Sequence, residues 1–446
     1  MSATAEIREW YTARFERFEK GLNGASKTPL HALRRSAMES FRKHGFPTTA
    51  DEEWRFTSVA PIASTRFQPV LAPTAGGKNP LPLSPVLEGG GIVLVFVNGQ
   101  YAESMSVLAG LPPGVAAGSL AAAIETDPGL ALRLRPMDGG GARDAFGTLN
   151  TAFLTDGAYI RVNDGVEIAG PVHILSFAVT DKAEQLLIQP RHVIVAGKNS
   201  RLSVVETYAG SGSGVYLTNA VTEIAVGEGG TVEHDTLQTE ASESYHVGTT
   251  LIALGAGASF TSNAITLGGA IVRNNVLARF EGERAECTLN GLSVATGTQL
   301  VDNHTVIDHA VPRCESHELY KSVLDGSARG VFNGKIFVRP DAQKTDAKQT
   351  NKTLLLSDEA TIDTKPQLEI FADDVKCTHG ATVGQLDEEQ VFYLRARGIG
   401  EAEARDLLTF AFATDVINRV HVGALRERLD TLLHARLRQG RVNAES

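Results

Sequence analysis

Two stripes of apolar residues at helical spacing open the chain, Ile7, Trp10, Tyr11, Phe15 and Phe18, then Leu30, Leu33, Ala37, Met38 and Phe41. Pro29 stands at a first helical position with Thr28 as its cap, and Gly45 followed by Pro47 stops that helix. Residues 68–90, rich in Pro and Gly, read as a linker. The run IVLVFV at 92–97, an Asn98-Gly99 turn and Gln100-Tyr101 predict a hairpin. A short helix is expected around 120–125 and a break at Gly139-Gly140-Gly141.

From 159 to 371 the period changes to short runs of Val, Ile, Thr and Leu separated by turns. Aligned on those turns, a weak repeat emerges: GKNSRL (197), GEGGTV (227), GAGASF (255), GERAEC (282), DGSARG (325) and SDEATI (357). A turn residue opens each, a small residue follows three places on, and a strand comes next. The intervals are 30, 28, 27, 43 and 32 residues. Strands and turns at near-regular intervals, without helices, predict stacked β coils. A β-sandwich also has regular short strands, but accounts less readily for the recurring phrase.

Helical periodicity returns after Asp387. The stretch 391–398 ends at Gly398, 401–420 is unusually apolar, and 422–437 carries Leu425, Leu429, Leu432, Leu433 and Leu437 on one side. Such a unit could cap the open end of a solenoid or dock a partner; the pattern alone favours the cap. The expected organisation is a mostly helical unit with linker and hairpin at 1–150, a β core at 151–380 and a helical unit at 381–446.

Composition narrows the function. With 42 Lys+Arg against 52 Asp+Glu, a net charge of −10 and few aromatics (18 Phe, 8 Tyr, 2 Trp), a nucleic-acid binder is not expected. No apolar run is long enough for a membrane span, the N-terminal stretch lacks a signal-peptide core, and three cysteines without a CxxC pair suit a reducing compartment. A cytoplasmic protein is expected. The 44 glycines follow no three-residue period, which excludes collagen.

No GxSxG, HExxH or GxGxxG motif occurs, and GVFNGKI (330–336) is one residue short of a phosphate loop and lacks Ser or Thr after Lys335. Ligand-type residues gather late, with His304, His309, Cys314 and His317, then Cys377 and His379 behind Asp373-Asp374. Their softness suits iron or zinc. Their spacing does not make a closed four-ligand site. Cys314 reads more readily as a small buried hydrophobe, and His304, His309 and His317 as satisfied side chains on strand faces. Cys377 and His379, two apart on one strand, would face the same way at an edge. Asp302 and Asp308 offer an alternative, the acid pair of a β-helix carbohydrate-active enzyme, though a sugar groove asks for more aromatics.

The runs VIDHAVPRCESHELYKSVLDGSARGVFNGKIFVRPDAQKTDAKQTNKTLLLSDEA (306–360) and TKPQLEIFADDVKCTHGATVGQLDEEQVFYLRARGI (364–399) closely resemble the SufB/SufD family of iron–sulfur cluster assembly proteins. GFPTTADEEWRFT (45–57) also resembles the family's N-terminal region. Cys377-Thr378-His379-Gly380-Ala381-Thr382-Val383-Gly384 is similar to the SufD-type motif, and no cysteine precedes Cys287. The resemblance implies a mainly β protein, a right-handed parallel β-helix core flanked by helical N- and C-terminal domains. It implies a non-catalytic scaffold that pairs with SufB through a β-helix edge and holds the SufC ATPase on its C-terminal helices. A transient iron–sulfur cluster would form at the SufB–SufD interface, with His379 and, less centrally, Cys377 as ligands. No tightly bound cofactor is expected on the isolated chain. A flavin in the complex and a homodimer through the same edge are left open.

Overall fold

The structure is a computed structural model that describes residues 3–22, 27–73, 91–135, 137, 144–181 and 184–444. Its centre is a parallel β-helix in which successive strands alternate between two sheets. One sheet runs through Arg191–Ala196, Tyr216–Val226, Tyr245–Leu254, Ile271–Phe280, Leu300–His309 and Arg329–Val338 to Thr361–Ile370. The second runs through Arg201–Gly212, Thr231–Gln238, Ser259–Thr266, Glu286–Ala295, Glu315–Leu324 and Asp346–Leu355 to Lys376–Gly384. Each strand pairs in parallel with the strand two places on, so one coil rises by a single strand spacing of about 4.8 Å.

In-register stacking of like side chains holds the coils together. Ile160, Ile194, Ile224, Ile252, Ala278, Ile307, Ile336 and Leu368 form one inward column. Its β-branched members are stiff and suit a pleated surface. At the turn following each of these strands of the first sheet but the last, one residue takes a left-handed conformation. These are Asn199, Gly229, Gly257, Arg284, Arg313 and Lys344, with φ from 51° to 64°. Asn199, Gly229, Gly257, Arg313 and Lys344 donate their N–H to a carbonyl of the next coil, which stabilises a conformation that non-glycine residues otherwise avoid.

The expected repeat is real but spans two edges. GKNSRL, GEGGTV, GAGASF and GERAEC lie in the turns from the first sheet to the second, whereas DGSARG and SDEATI turn back from the second to the first. The interval of 43 residues is therefore about a coil and a half. The turns at 310–314 and 339–345 fall outside the repeat because Val311 and Ala342 stand where the other turns open on Gly, Asp or Ser.

Helices clothe the two flat faces. Ala3–Gly21, Pro29–His44 and Ala145–Ala152 pack Tyr11, Phe15, Met38, Phe41, Phe146 and Phe153 over Leu187, Leu217 and Val247 of the first sheet. Pro29–His44 starts as expected, with the Thr28 side chain accepting from the His31 N–H and Gly45 closing it at φ 66°. The strand Ile92–Val97 turns through Asn98-Gly99 into Gln100–Tyr101 and also joins the second sheet beside Val172–Thr180. Gln68–Pro69 pairs with Leu186–Ile188; residues 74–90 of the expected linker and the Gly139-Gly140-Gly141 break lie outside the described residues.

On the opposite face, Glu401–Ile417 and Gly423–Ala444 set Ala413, Val416, Ile417, Leu425, Leu429 and Leu433 against Val205, Leu237, Ile265, Leu292, Leu319 and Val323. The C-terminal helices therefore lie along the side of the β-helix, and the cap expected from the pattern is not what they form. Their apolar stripe matches the flat outer face of a sheet. The last coil stays bare among the described residues.

Candidate functional site

The bare coil consists of Thr361–Ile370 and Lys376–Gly384, the terminal strands of both sheets, each paired on one side only. In the preceding strand, Ala347, Gln349, Asn351 and Thr353 are buried and face the lumen, while Lys348 is exposed. Register places Cys377 on Ala347, His379 on Gln349, Ala381 on Asn351 and Val383 on Thr353. Cys377 and His379 thus occupy lumen positions. In any earlier coil such residues would be covered; here His379 is exposed and Cys377 half-buried.

Cys377 packs by Ile336, Val338, Ala347, Ala372 and Leu368. Burial, followed by the charge of Asp346, raises its thiol above the ordinary range. Directly beneath His379, the Gln349 side chain donates from Nε2 to Glu318 Oε2 at 2.6 Å. Burial pushes Glu318 up to about 7.

The remaining candidates are dispersed. Cys287 lies in the inward column of Cys377, with Ser316 and Ala347 between them, roughly 14 Å away at the usual strand spacing. It is fully buried, as is Cys314, whose Sγ meets the Gly282 carbonyl at 3.4 Å. Of the three cysteines, only Cys377 reaches the open end. His309 points inward, bonds Ser316 Oγ at 2.9 Å and lies against Phe280, and burial lowers it to about 4. His317 is exposed near Glu315.

His304 and Asp302 belong to a clamp on the outer face of the first sheet. His304 Nε2 lies 3.0 Å from Asp302 and its Nδ1 3.5 Å from Glu53. Arg273 reaches Asp302 at 2.9 Å, donates to the Glu53 carbonyl at 2.7 Å and stacks on Trp54 at 3.7 Å. The Thr57 hydroxyl donates to Asp302. Burial alone would raise Asp302, but His304 and Arg273 hold it down at about 2. Burial would lower His304, and Asp302 and Glu53 raise it instead. Asp308 is held by both arms of Arg339 at 2.8 and 2.9 Å. Neither carboxylate is free to act as a glycosidic acid.

Among the described residues, no three His, Cys, Asp or Glu side chains gather in a metal-holding cluster. The open end presents one thiol, Cys377, and one imidazole, His379, on a bare edge. The model of the SUF system FeS cluster assembly SufBD core domain matches residues 178–412, and that of the SufBD protein N-terminal region matches 5–174. The chain belongs to the SufBD family. It is 32% identical to the iron–sulfur cluster assembly SufBD family protein slr0076 of Synechocystis, over 92% of this chain and 91% of that one. It is 29% identical to the iron–sulfur cluster assembly protein SufD of Escherichia coli, over 90% of this chain and 92% of that one. Protein ABCI7, chloroplastic, of Arabidopsis thaliana is 29% identical, over 91% and 85% respectively. The SufBD core match takes in the whole terminal coil, with Cys377 and His379.

A second feature of this SufBD chain carried no strong signal in sequence. On the C-terminal helices Phe392, Tyr393 and Leu407 are 70%, 56% and 43% exposed. The apolar residues of 401–420 divide between the side packed on the sheet and this outer side. Among the described residues no helix is long and apolar enough to cross a membrane.

Proposed function

We propose that this chain is the SufD-type, non-catalytic scaffold of a cytoplasmic cluster-assembly complex. Its terminal coil pairs with the corresponding end of a SufB protein, and the nascent iron–sulfur cluster, the cargo, forms where the ends meet. His379 supplies one ligand and Cys377 a second, weaker one, and SufB completes the set. The observation that carries this reading is the bare terminal coil, where a thiol and an imidazole stand on lumen positions with no further coil above them. Two unpaired strand edges are a template for pairing with another chain, and a site shared across an interface needs only part of a ligand set from each side.

The SufC ATPase docks on the C-terminal helices, where Phe392, Tyr393 and Leu407 are large apolar side chains left exposed, of the kind that a partner's groove or helix receives. The test is co-expression of the tagged chain with SufB and SufC, followed by iron and sulfide determination. Wild type should retain both partners; capture of neither sinks the reading. His379→Ala should leave the complex intact and lower iron and sulfide per complex severalfold, with Cys377→Ser weaker. Phe392→Asp should lose SufC while SufB is kept.

A further inference from the structure

The layer directly under His379 contains an amide with half of its bonding capacity unused. Gln349 is 2% exposed and Glu318 3% exposed, and register stacks His379 on Gln349 and Gln349 on Glu318. The amide nitrogen donates to Glu318 at 2.6 Å. Its Oε1 is buried and has no hydrogen-bond partner. Buried amide oxygens without a partner are rare in native proteins and call for an explanation.

The fold makes room for this amide. Across the lumen stands Gly334, and a Cβ there would come within 2.3 Å of Gln349 Nε2 and 2.7 Å of its Cδ. A side chain on residue 334 would displace the amide. Glu318 in turn is flanked by Thr305, which stands in register with Gly334. Because an ionised or shared carboxylate oxygen accepts, Glu318 selects the amide orientation with Nε2 toward itself. That leaves Oε1, an acceptor only, as the group available to the layer above. The side chain in register above is the imidazole of His379.

We propose that Gln349 and Glu318 are positioning residues that hold His379 in a single neutral tautomer. Glu318 fixes the amide, and when the imidazole stacked in register above turns inward the unpartnered Gln349 Oε1 accepts one ring N–H of His379, leaving the other ring nitrogen with its lone pair directed to the open end. Histidines that ligate metals are ordinarily oriented in this manner by an acceptor behind the ring. The inference rests on the reading of His379 as a cluster ligand, and it deepens that reading by naming what aims the ligand.

The test is ¹⁵N NMR of the histidine side chains in the full-length free chain at a pH where the imidazole is neutral, with His379 assigned from the His379→Ala spectrum. One tautomer of His379 should predominate severalfold in wild type. Gln349→Leu should bring the two forms toward equal populations, Glu318→Leu should do so in part, and Glu318→Gln, which keeps an accepting oxygen, should retain the preference. Equal tautomer populations in wild type overturn the proposal even if a variant fails to fold. So does a preference unchanged in Gln349→Leu. The readout comes from the free chain, so failure of the ligand reading, seen as unchanged iron and sulfide in the His379→Ala complex, is recorded separately.

Discussion

His304 and His379 stand two coils apart on the same β-helix, and their surroundings are opposite. His304, on the outer face, is enclosed by Asp302 and Glu53, with Arg273 and Trp54 completing the clamp. His379, on a lumen position, is exposed because no coil follows it. Both were candidates as metal ligands in the sequence. The difference teaches that ligand-type residues whose partners lie within the chain are structural, while those at an unfinished edge are available for chemistry. The clamp also ties the segment at 51–57 to the fourth and third coils from the open end.

The comparison is broken most severely at Asp302. Asp302→Ala leaves Arg273, 3% exposed, without its counter-charge and strips Thr57 and His304 of an acceptor. Removing one partner of a buried pair costs about 3–5 kcal/mol. Urea unfolding at pH 7 should show a loss of that size; a loss below about 1 kcal/mol would mean that the clamp does not brace the fold.

Glu318 gives the next effect, in the opposite direction. Its carboxyl is raised from 4.5 to about 7, so the folded state holds a proton that the unfolded chain releases. Its stabilising contribution is complete below pH 4.5 and is lost as pH rises to 7. Glu318→Gln should therefore stabilise the chain at pH 8 by about 1–3 kcal/mol and change little at pH 4. Equal shifts at both pH values would remove the buried acid from the account. A smaller effect comes from Asp302 in acid. Its folded value of about 2 lies below the ordinary 3.8; its contribution is complete above the ordinary value and disappears as pH falls through 2. About 2 kcal/mol of stability should be lost over that window in wild type and not in Asp302→Asn.

How far the sequence could be read depends on whether the cause is local. Thr28, Pro29 and Gly45 declared their helix because capping is decided within a few residues. The solenoid was legible from turns that open on Gly, Asp or Ser with a small residue three on, and two coils escaped because their turns open on Val311 and Ala342. Cys377 and His379 were legible as a same-facing pair on an edge strand. That they sit on lumen positions of an uncovered coil was not, because the C-terminal helices could equally have closed the end. Gln349 gave no signal. In DAKQTNKT it looks like any polar residue of a solvent-facing strand, and only pairing with the strand above and below makes it a buried amide.

The smallest effect on stability belongs to the residue with the largest expected effect on function. His379 is exposed on a terminal strand, and the one bond inferred for it is to Gln349 Oε1 beneath. His379→Ala should lower unfolding free energy by no more than about 1.5 kcal/mol, the net worth of one hydrogen bond, while iron and sulfide in the three-protein complex fall. A destabilisation comparable to that of Asp302→Ala would place His379 with His304 as a structural histidine and erase the contrast between clamp and open end. Unchanged stability with diminished cluster content would establish that the unfinished coil is kept for chemistry and that its exposed imidazole is not required by the fold.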